Sequence, residues 1–514
     1  MATELAPAST AAAAQPPGFQ PRDRSLFDRA LTRAAGAALI PGNNAAVLKD
    51  AAENYPAWLE EIGRARHKIY FESYFIVEDE VGRAFAAALS ERARAGVRVR
   101  LIYDWLGSFG KASRKFWRSL AEAGVEVRRF NPPRLTRPFD WLHRDHRKVL
   151  VIDGRVGFVT GLCVGKMWTG DPATGKAPWR DTGMGLTGPA LHEIERAFAQ
   201  VWAHTGPALP AEEITPVEAI AKTGDIGMRI VANAPGAASL FRVDQLVAAA
   251  ARKTLWLTDA YFAGVAPYVQ ALRAAALDGV DVRLLVPGAS DIPVLQPLSH
   301  AGFRPLLEAG VRVFEWKGTM LHAKTGVADR YWSRVGSTNL NIASWLGNYE
   351  LDTVIEDEWF AGEMEKLFLQ DLESTREIVL RPRGRRFREQ RPRDIAGPVS
   401  REAAARHGRG SASRAAMGAL QIGRSVGAAL SDQRLLAPTE SRMVAVAGTL
   451  LLLIGFVGFV WPAVIAYPLA LLVTWIAVAF LLRAQELRRE RRQRGLPATR
   501  VGHADSTTGR PPGE

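Results

Sequence analysis

The sequence predicts an α/β protein made of two tandem copies of one domain, with an active site at their interface and a C-terminal transmembrane helical hairpin. Three observations predict this organisation: strand and helix patterns that recur at a near-constant offset, a His–Lys–Asp motif that occurs once in each copy, and a run of 40 residues without charge. The predicted segments are a disordered lead (1–30), a first α/β domain (31–210), a second α/β domain (211–380), an Arg-rich linker (381–442), two transmembrane helices (443–482) and a basic tail (483–514).

The N-terminal lead has the composition of a disordered segment. Residues 1–20 are dominated by Ala, Pro and Ser, which offer little apolar surface to bury. They lack the basic start and the apolar stretch of a secretory signal. We therefore expect no membrane anchor in this part of the chain.

The two α/β domains are predicted from an internal repeat. Each copy starts with a basic residue pair before a buried apolar strand, in ARHKIYFESYF (65–75) and ARKTLWLTDAYF (251–262). Each then has two helix ends that stop at a Gly before another strand, and the equivalent glycines are Gly96 with Gly279 and Gly124 with Gly310, offset by 183 and 186 residues. Such near-constant offsets indicate duplication. Strands that are apolar on both faces and alternate with helices predict a largely parallel, helix-covered sheet in each copy.

The repeat leads twice to the same short motif. HRKVLVID (146–153) and HAKTGVAD (322–329) both fit H-x-K-x(4)-D, for which this composition predicts only about 0.01 chance matches. On an extended segment, the His and the Lys two residues later project to the same side. A twofold pairing of the domains would bring two imidazoles and two ammonium groups to one cleft. The alternative is that each motif is an ordinary strand with an exposed Lys.

This set of groups suits transfer at a phosphodiester. Two ammonium groups neutralise the phosphate and the charge that develops on it in the transition state. One imidazole attacks phosphorus, and the other protonates the leaving alkoxide and then deprotonates the acceptor. This chemistry needs neither a metal nor a cofactor, and we expect none. The single cysteine, Cys163, excludes an internal disulfide framework and a Cys-rich metal site.

These motifs resemble the HKD motifs of the phospholipase D superfamily, and within it the chain is most similar to bacterial cardiolipin synthases. The resemblance covers roughly residues 40–380. Besides the two motifs, it depends on GSTN (336–339), WRDT (179–182) and FESYFIVEDEVG (71–82). It implies two α/β domains packed as one unit and a covalent phosphohistidine intermediate.

The resemblance also implies roles for individual residues. The candidate catalytic residues are His146, Lys148, Asp153, His322, Lys324 and Asp329. The resemblance makes His146 the nucleophile and His322 the general acid and base, with the reverse assignment left open. Asp153 and Asp329 are expected to brace their own motifs. Glu350 is expected to orient the imidazole of His322, and Asp181 that of His146.

A substrate-binding group is expected after each motif. Ser337 and Asn339 follow the second motif in the family pattern. After the first, where the family usually has Gly-Gly-x-Asn, the chain has Thr160-Gly161-Leu162-Cys163, which puts a weakly donating thiol in place of an amide. We therefore expect the two sides of the phosphate site to differ.

The net charge of +13 is a topology signal. Residues 1–380 hold 44 basic and 44 acidic side chains, so the whole excess flanks the uncharged run at 443–482. That run is about twice the length needed to span a bilayer, and Pro462 and Pro468 favour a turn near its middle. Arg on both sides predicts a cytoplasmic location for both ends and for the catalytic domains, at a bacterial inner membrane. The alternative is a buried helical hairpin.

The predicted function is that of a phosphatidyltransferase making cardiolipin, with phosphatidylglycerol as the expected substrate and the bilayer as partner. A phospholipase D that uses water as acceptor is the main alternative. A nuclease is a weaker one, since nucleic-acid binders carry their basic excess on the binding domain, and no nucleic acid is expected here. A non-catalytic membrane scaffold that kept the fold is the last alternative. The oligomeric state is not predicted.

Overall fold

The computed structural model describes residues 21–133, 142–292 and 295–380, together with scattered positions between 453 and 485. Residues 21–132 and 142–380 belong to one compact unit. The elements up to the middle of the chain are α1 (Pro21–Ala35), β1 (Ile40–Lys49), α2 (Asp50–Arg64), β2 (Lys68–Ser73), α3 (Glu80–Arg94), β3 (Arg98–Asp104), α4 (Arg114–Glu122), β4 (Glu126–Phe130), β5 (Val149–Ile152), β6 (Val156–Thr160), β7 (Thr182–Thr187) and α5 (Leu191–Thr205).

From β8 onward the same order of elements is repeated. The second half contains β8 (Ile226–Asn233), α6 (Ser239–Ala250), β9 (Thr254–Thr258), α7 (Ala266–Leu277), β10 (Asp281–Pro287), α8 (Leu295–Glu308), β11 (Arg312–Trp316), β12 (Thr325–Ala328), β13 (Trp332–Gly336), β14 (Glu350–Glu356), α9 (Glu358–Glu373) and β15 (Thr375–Ile378). The α/β class and the duplication are therefore confirmed over these residues.

The two halves share one continuous sheet. The strand order is β15-β11-β10-β9-β12-β13-β14-β8-β1-β7-β6-β5-β2-β3-β4. The halves meet where β1 and β8 pair antiparallel, with Asn43 opposite Ile226. Equivalent strands lie on opposite sides of this junction, so the repeat appears in space as an approximate twofold relation.

The prediction of largely parallel sheets is wrong. Parallel pairing is confined to β2-β3-β4 and β9-β10-β11, and the other neighbouring strands of the sheet run antiparallel. The repeat used for the prediction covers only the parallel strands, which helices connect. The strands after each motif are joined by tight turns, β5 to β6 and β12 to β13, and such turns impose antiparallel pairing.

The four repeated glycines end helices, as predicted. Gly96, Gly124, Gly279 and Gly310 follow α3, α4, α7 and α8 with φ of +89°, +96°, +94° and +92°. A residue with a Cβ is strained in this left-handed region, whereas glycine is not. The glycines therefore turn the chain from each helix into the next parallel strand.

The N-terminal helix departs from the predicted boundaries. Helix α1 begins at Pro21, so the expected disordered lead is helical over residues 21–30. Leu31 and Ala35 are buried with Leu240 and Val243 of α6. The start of the chain as described therefore packs on the second half, although residue 31 was the predicted start of the first domain. Residues 1–20 lie outside the described residues.

The cores on the two faces of the sheet differ in what they join. On one face each half has its own cluster, around Trp58 in the first half and around Trp345 in the second. On the other face a single cluster contains Ile194 of α5 and Met364 of α9, together with strand residues of both halves. This shared core fixes the two motifs relative to each other.

The expected membrane hairpin is not tested. In the described part of the chain, no helix combines the length and apolar character needed to span a membrane. The linker at 381–442 and most of segments 443–482 and 483–514 lie outside the described residues.

Candidate active site

The two motif histidines immediately precede equivalent short strands, β5 and β12. The backbone N–H of His146 donates to the carbonyl of Tyr349 (2.9 Å), and that of His322 donates to the carbonyl of Arg180 (2.7 Å). Tyr349 and Arg180 themselves lie just before equivalent strands of the opposite half, β14 and β7. Each motif is therefore fastened to the other half of the molecule, which brings both into one site.

The predicted pairing of carboxylates with histidines is wrong, because the pairs are crossed. His146 Nδ1 lies 2.9 Å from Oε2 of Glu350 and 3.1 Å from its Oε1. His322 Nδ1 lies 2.8 Å from Oδ2 of Asp181. The reason is the fastening just described, since Asp181 and Glu350 follow Arg180 and Tyr349 directly. The prediction rested on proximity along the chain, whereas the sheet places each carboxylate against the motif of the opposite half.

Both carboxylates are fully buried and held by further donors. Asp181 accepts from Trp168 Nε1 at 3.0 Å, and Glu350 accepts from the hydroxyl of Ser337 at 2.6 Å. Burial raises the pKa of each carboxyl, but the partner histidine and the nearby lysines outweigh it, and the net pKa is lowered. Both groups are therefore ionised acceptors at neutral pH.

The two imidazoles are neutral in the free protein. Burial lowers the pKa of His146, with Glu350 opposing the shift. Burial and the adjacent ammonium of Lys324 lower the pKa of His322 to about 3. Because each Nδ1 faces a carboxylate, the proton of the neutral ring belongs on Nδ1, and Nε2 keeps its lone pair. Each ring can therefore attack phosphorus or accept a proton through Nε2.

The two motif lysines are buried beside the histidines. The Nζ of Lys148 donates to the carbonyl of His146, and the Nζ of Lys324 donates to that of His322. Burial lowers the pKa of Lys324 to about 8, a shift that Asp181 opposes and the charge of Lys148 reinforces. The mutual repulsion indicates two cations held close together, an arrangement that an anionic phosphodiester would stabilise.

Two tyrosines complete the site, and sequence reasoning missed them. The ring of Tyr74 lies 5.1 Å from that of His146, and the ring of Tyr261 lies 5.7 Å from that of His322. The Nζ of Lys148 is 5.4 Å from the Tyr74 ring centre, and that of Lys324 is 5.6 Å from the Tyr261 ring centre. The signal was present, because both tyrosines occupy the same position in the repeated strand, in FESYF and TDAYF.

The three predicted substrate-binding residues differ in their surroundings. Ser337 is committed to Glu350, so its contact with substrate stays a prediction. Asn339 is buried, and its Oδ1 has no hydrogen-bond partner within the described part of the chain. Cys163 is also buried; burial raises the pKa of its thiol, and the charges of Lys148 and Lys324 oppose that shift. A neutral thiol and an unpaired amide thus stand at the two sides of the site.

The motif aspartates brace the strands, as the resemblance implied. The carboxylate of Asp153 accepts from the backbone N–H groups of residues 66–68, each at 2.8 Å. That of Asp329 accepts from the N–H groups of residues 252–254 at 2.7–2.9 Å. Strand β5 separates Asp153 from His146, and β12 separates Asp329 from His322. The two aspartates therefore act on structure, not on the reacting atoms.

A buried pair of carboxyl groups lies next to His146 and was also missed. Asp145 precedes the histidine, and Glu72 lies on β2, which pairs with β5. Burial raises the pKa of both groups, and the negative charge of Glu72 raises that of Asp145 further. Both oxygens of Glu72 and Oδ2 of Asp145 lack a donor among the described residues. One shared proton would satisfy this pair. The equivalent positions in the second half are Asp259 and Leu321, so the pair has no counterpart there.

The described residues contain no group of three or more His, Cys, Asp or Glu placed to hold a metal ion.

Comparison with known proteins matches the chain to one family. The family model described as "Cardiolipin synthase, PLD-like domain" matches residues 58–165 and 246–372, which include both motif histidines. The cardiolipin synthase of Halalkalibacterium halodurans is 32% identical over 364 residues, 69% of this chain and 71% of that protein. Cardiolipin synthase 2 of Bacillus anthracis is 34% identical over 63% of this chain and 64% of its own length.

The fold has a solved relative. The crystal structure of phosphatidylserine synthase from Haemophilus influenzae Rd KW20 matches with a TM-score of 0.53 and 16% identity. The match covers 68% of this chain and 91% of that one. At this identity, the similarity concerns the fold.

Proposed function

Because the chain belongs to the cardiolipin synthase family of phospholipase D-like phosphatidyltransferases, we propose that it transfers a phosphatidyl group from one phosphatidylglycerol molecule to another. The products are cardiolipin and glycerol. The observation that carries the proposal is the crossed pairing, which supplies two neutral imidazoles, each backed by an ionised carboxylate.

The first step forms a bond between Nε2 of His146 and phosphorus. The bond from phosphorus to the glycerol headgroup breaks, and His322 protonates the departing alkoxide. Glu350 stabilises the positive charge that the attacking ring acquires, since it faces Nδ1 of that ring. Lys148 and Lys324 neutralise the phosphoryl oxygens.

The proton for the first step arrives with the substrate. His322 is neutral in the free protein because burial and Lys324 lower its pKa to about 3. A phosphodiester anion placed between the lysines opposes both effects, because it raises the pKa of a nearby imidazole. Substrate binding and protonation of His322 are therefore coupled, and one proton should be taken up as the lipid binds.

The second step regenerates the enzyme. His322, now neutral again, removes the proton from a hydroxyl of a second phosphatidylglycerol, whose oxygen attacks phosphorus. The bond between phosphorus and His146 breaks, and cardiolipin leaves. Asn339, with its unpaired oxygen, and Cys163 are proposed to line the phosphate site on opposite sides. Water in place of the lipid hydroxyl would give phosphatidic acid.

The uncharged segment at 443–482 is proposed to form two transmembrane helices, with the catalytic residues on the cytoplasmic side of a bacterial inner membrane. The Arg residues on both sides of this segment support the orientation, since positively charged flanks stay cytoplasmic. Two predicted domains, 31–210 and 211–380, then contribute one half of the active site each.

The test uses the purified full-length protein in vesicles of phosphatidylglycerol. We expect cardiolipin and glycerol in equal amounts, and loss of both in His146→Ala and in His322→Ala. His192→Ala is the matched control, because His192 lies on α5 and its ring contacts the carbonyl of Thr215. Phosphatidic acid as the main product would contradict the transferase proposal in favour of hydrolysis, and normal turnover by either motif variant would exclude the mechanism.

A further inference from the structure

The geometry points to a membrane-docking rim around the active site, formed by exposed apolar side chains on four loops. We define the rim as Leu106, Phe109, Leu142, Ile292, Ile342 and Leu346. Its occupant is the surface of an anionic phospholipid bilayer, from which the site takes its lipids directly. The inference rests on the proposed function for the identity of the substrate, and it adds the surface through which that substrate is reached.

The rim gathers a large share of the exposed apolar side chains. Within residues 26–380 of the described chain, thirteen large apolar side chains are exposed, and six of them belong to the rim. Phe109 is 69% exposed and Leu142 is 56% exposed, values unusual for residues of this size outside an interface. Single exposed apolar residues are ordinary, but a group of them around a functional site indicates a partner.

The loop that carries Leu106 and Phe109 is attached to the first catalytic histidine. Asp104 Oδ1 accepts from the N–H groups of Leu106 and Gly107, both at 2.9 Å. Asp104 Oδ2 accepts from the N–H of Asp145 at 3.0 Å, one residue before His146. A Cβ on Gly107 would lie 2.7 Å from the ring of Tyr74, so the backbone packs closely on the tyrosine that contacts His146.

The remaining loops of the rim are attached to the site in the same way. His143 Nδ1 lies 2.9 Å from the carbonyl of Gly347, which joins the loop of Leu142 to that of Leu346. On the other side, the hydroxyl of Tyr261 donates to Asp291 at 2.8 Å, next to Ile292. Because the Tyr261 ring faces His322, the rim has members beside both histidines.

Positive charge follows the most exposed part of the rim. Residues 105–118 contain Lys111, Arg114, Lys115 and Arg118 and no acidic residue. Lys115 and Arg118 are exposed, and Lys111 lies 4.6 Å from the ring centre of Phe75. Basic residues next to apolar ones fit an anionic lipid surface, where the charges contact headgroups and the apolar side chains enter the interface. A protein partner would not need the catalytic opening to lie inside the contact.

The first experiment measures insertion directly on the full-length protein. Phe109→Cys is labelled with the fluorophore NBD; Cys163 is 1% exposed, so its thiol is inaccessible to the reagent, and labelling of the unsubstituted protein gives the blank. The protein is reconstituted in vesicles containing phosphatidylglycerol and a doxyl-labelled lipid quencher. Leu277→Cys, at a 70% exposed position on α7, is the matched control. We expect at least threefold stronger quenching at 109 than at 277, and equal quenching at the two positions would overturn the proposal.

The second experiment separates docking from chemistry. Turnover is compared on vesicles and on a short-chain phosphatidylglycerol that is dissolved as monomers. We expect Phe109→Ser to lose at least tenfold more activity on vesicles than on the monomeric lipid, whereas Leu277→Ser loses equally little on both. Equal losses on both substrates would place Phe109 in the catalytic machinery and refute the rim.

These two experiments distinguish the failure of the rim from the failure of the proposed function. If the unsubstituted protein makes no cardiolipin from either substrate, the proposed function fails, and the quenching comparison still decides whether the rim enters the bilayer. If cardiolipin is made but quenching is equal at the two positions, only the rim is excluded.

Discussion

Replacing Glu350 by Gln should abolish most of the catalytic rate without removing the side chain. Gln keeps the shape and can still accept from His146 Nδ1, at the position where Glu350 Oε2 now lies 2.9 Å away. What is lost is the negative charge, since the net pKa of Glu350 is lowered and the carboxyl is ionised. When His146 bonds to phosphorus, its ring becomes positive, and this charge is left without its counter-ion.

The size of the effect follows from Coulomb's law. Charge centres about 4 Å apart interact by about 4 kcal/mol at an effective dielectric constant of about 20. Since about 1.4 kcal/mol corresponds to a factor of ten in rate, kcat should fall by about 10³. KM should change little, because the neutral imidazole of the free protein loses a hydrogen-bond acceptor of similar geometry and no charge pair.

The assay is rapid-quench measurement of the phosphohistidine intermediate together with steady-state turnover. Glu350→Gln should slow formation of the intermediate, and Glu356→Gln should not. Glu356 is a matched control because it lies on the same strand, is buried, and pairs with Arg229 at 2.9 Å and not with a histidine. The pH profile adds a readout that a loss of packing would not move. Glu350 opposes the lowering of the His146 pKa, so its removal should shift the acid limb of kcat/KM to lower pH. A Glu350→Gln enzyme within fivefold of the original kcat would refute the reasoning.

Three further predictions follow from the site. Asp153→Ala removes an acceptor for three backbone N–H groups and should cost about 3 kcal/mol of unfolding free energy, measured by urea titration, with kcat of the folded protein unchanged. Lys324 has a pKa of about 8, so kcat/KM should fall as the pH rises through that value; an alkaline limb unchanged in Lys324→Arg would assign the limb to another group. Burial raises the pKa of Glu72 above its unfolded value of 4.5, so its contribution to stability is full below pH 4.5 and is lost as the pH rises through the folded pKa. Melting temperatures at pH 5 and 8 should therefore differ less for Glu72→Gln than for the unsubstituted protein, and an equal difference would argue against the shared proton.

The sequence predicts whatever depends on local pattern or on repetition. The duplication, the helix-ending glycines such as Gly96 and Gly279, and the two motifs are all present in order along the chain. The repeat even contained the information for the crossed pairing. Tyr349-Glu350 and Arg180-Asp181 open equivalent strands, and each dipeptide faces the motif of the opposite half.

Features that depend on strand register could not be predicted. The pairing of Glu72 with Asp145 requires β2 to lie beside β5, which joins segments about 75 residues apart in the chain. Neither acid belongs to a motif, and only burial changes their protonation. The antiparallel strands were missed for a similar reason, since the direction of β5 and β12 is set by the turns that follow Asp153 and Asp329. Segment 443–482 stays a prediction.

The two halves are equivalent in fold but not in electrostatics, and the difference bears on which histidine attacks. A phosphohistidine ring carries its positive charge for the lifetime of the intermediate, whereas an acid–base ring is protonated only between two transfers. At His146, both oxygens of Glu350 lie within 3.1 Å of Nδ1. At His322, the ammonium of Lys324 lies 3.0 Å from the same atom, next to Asp181. A lasting positive charge is therefore better tolerated on His146, and the neighbouring cation makes His322 release its proton readily. From this we infer that His146 is the nucleophile and His322 the acid and base.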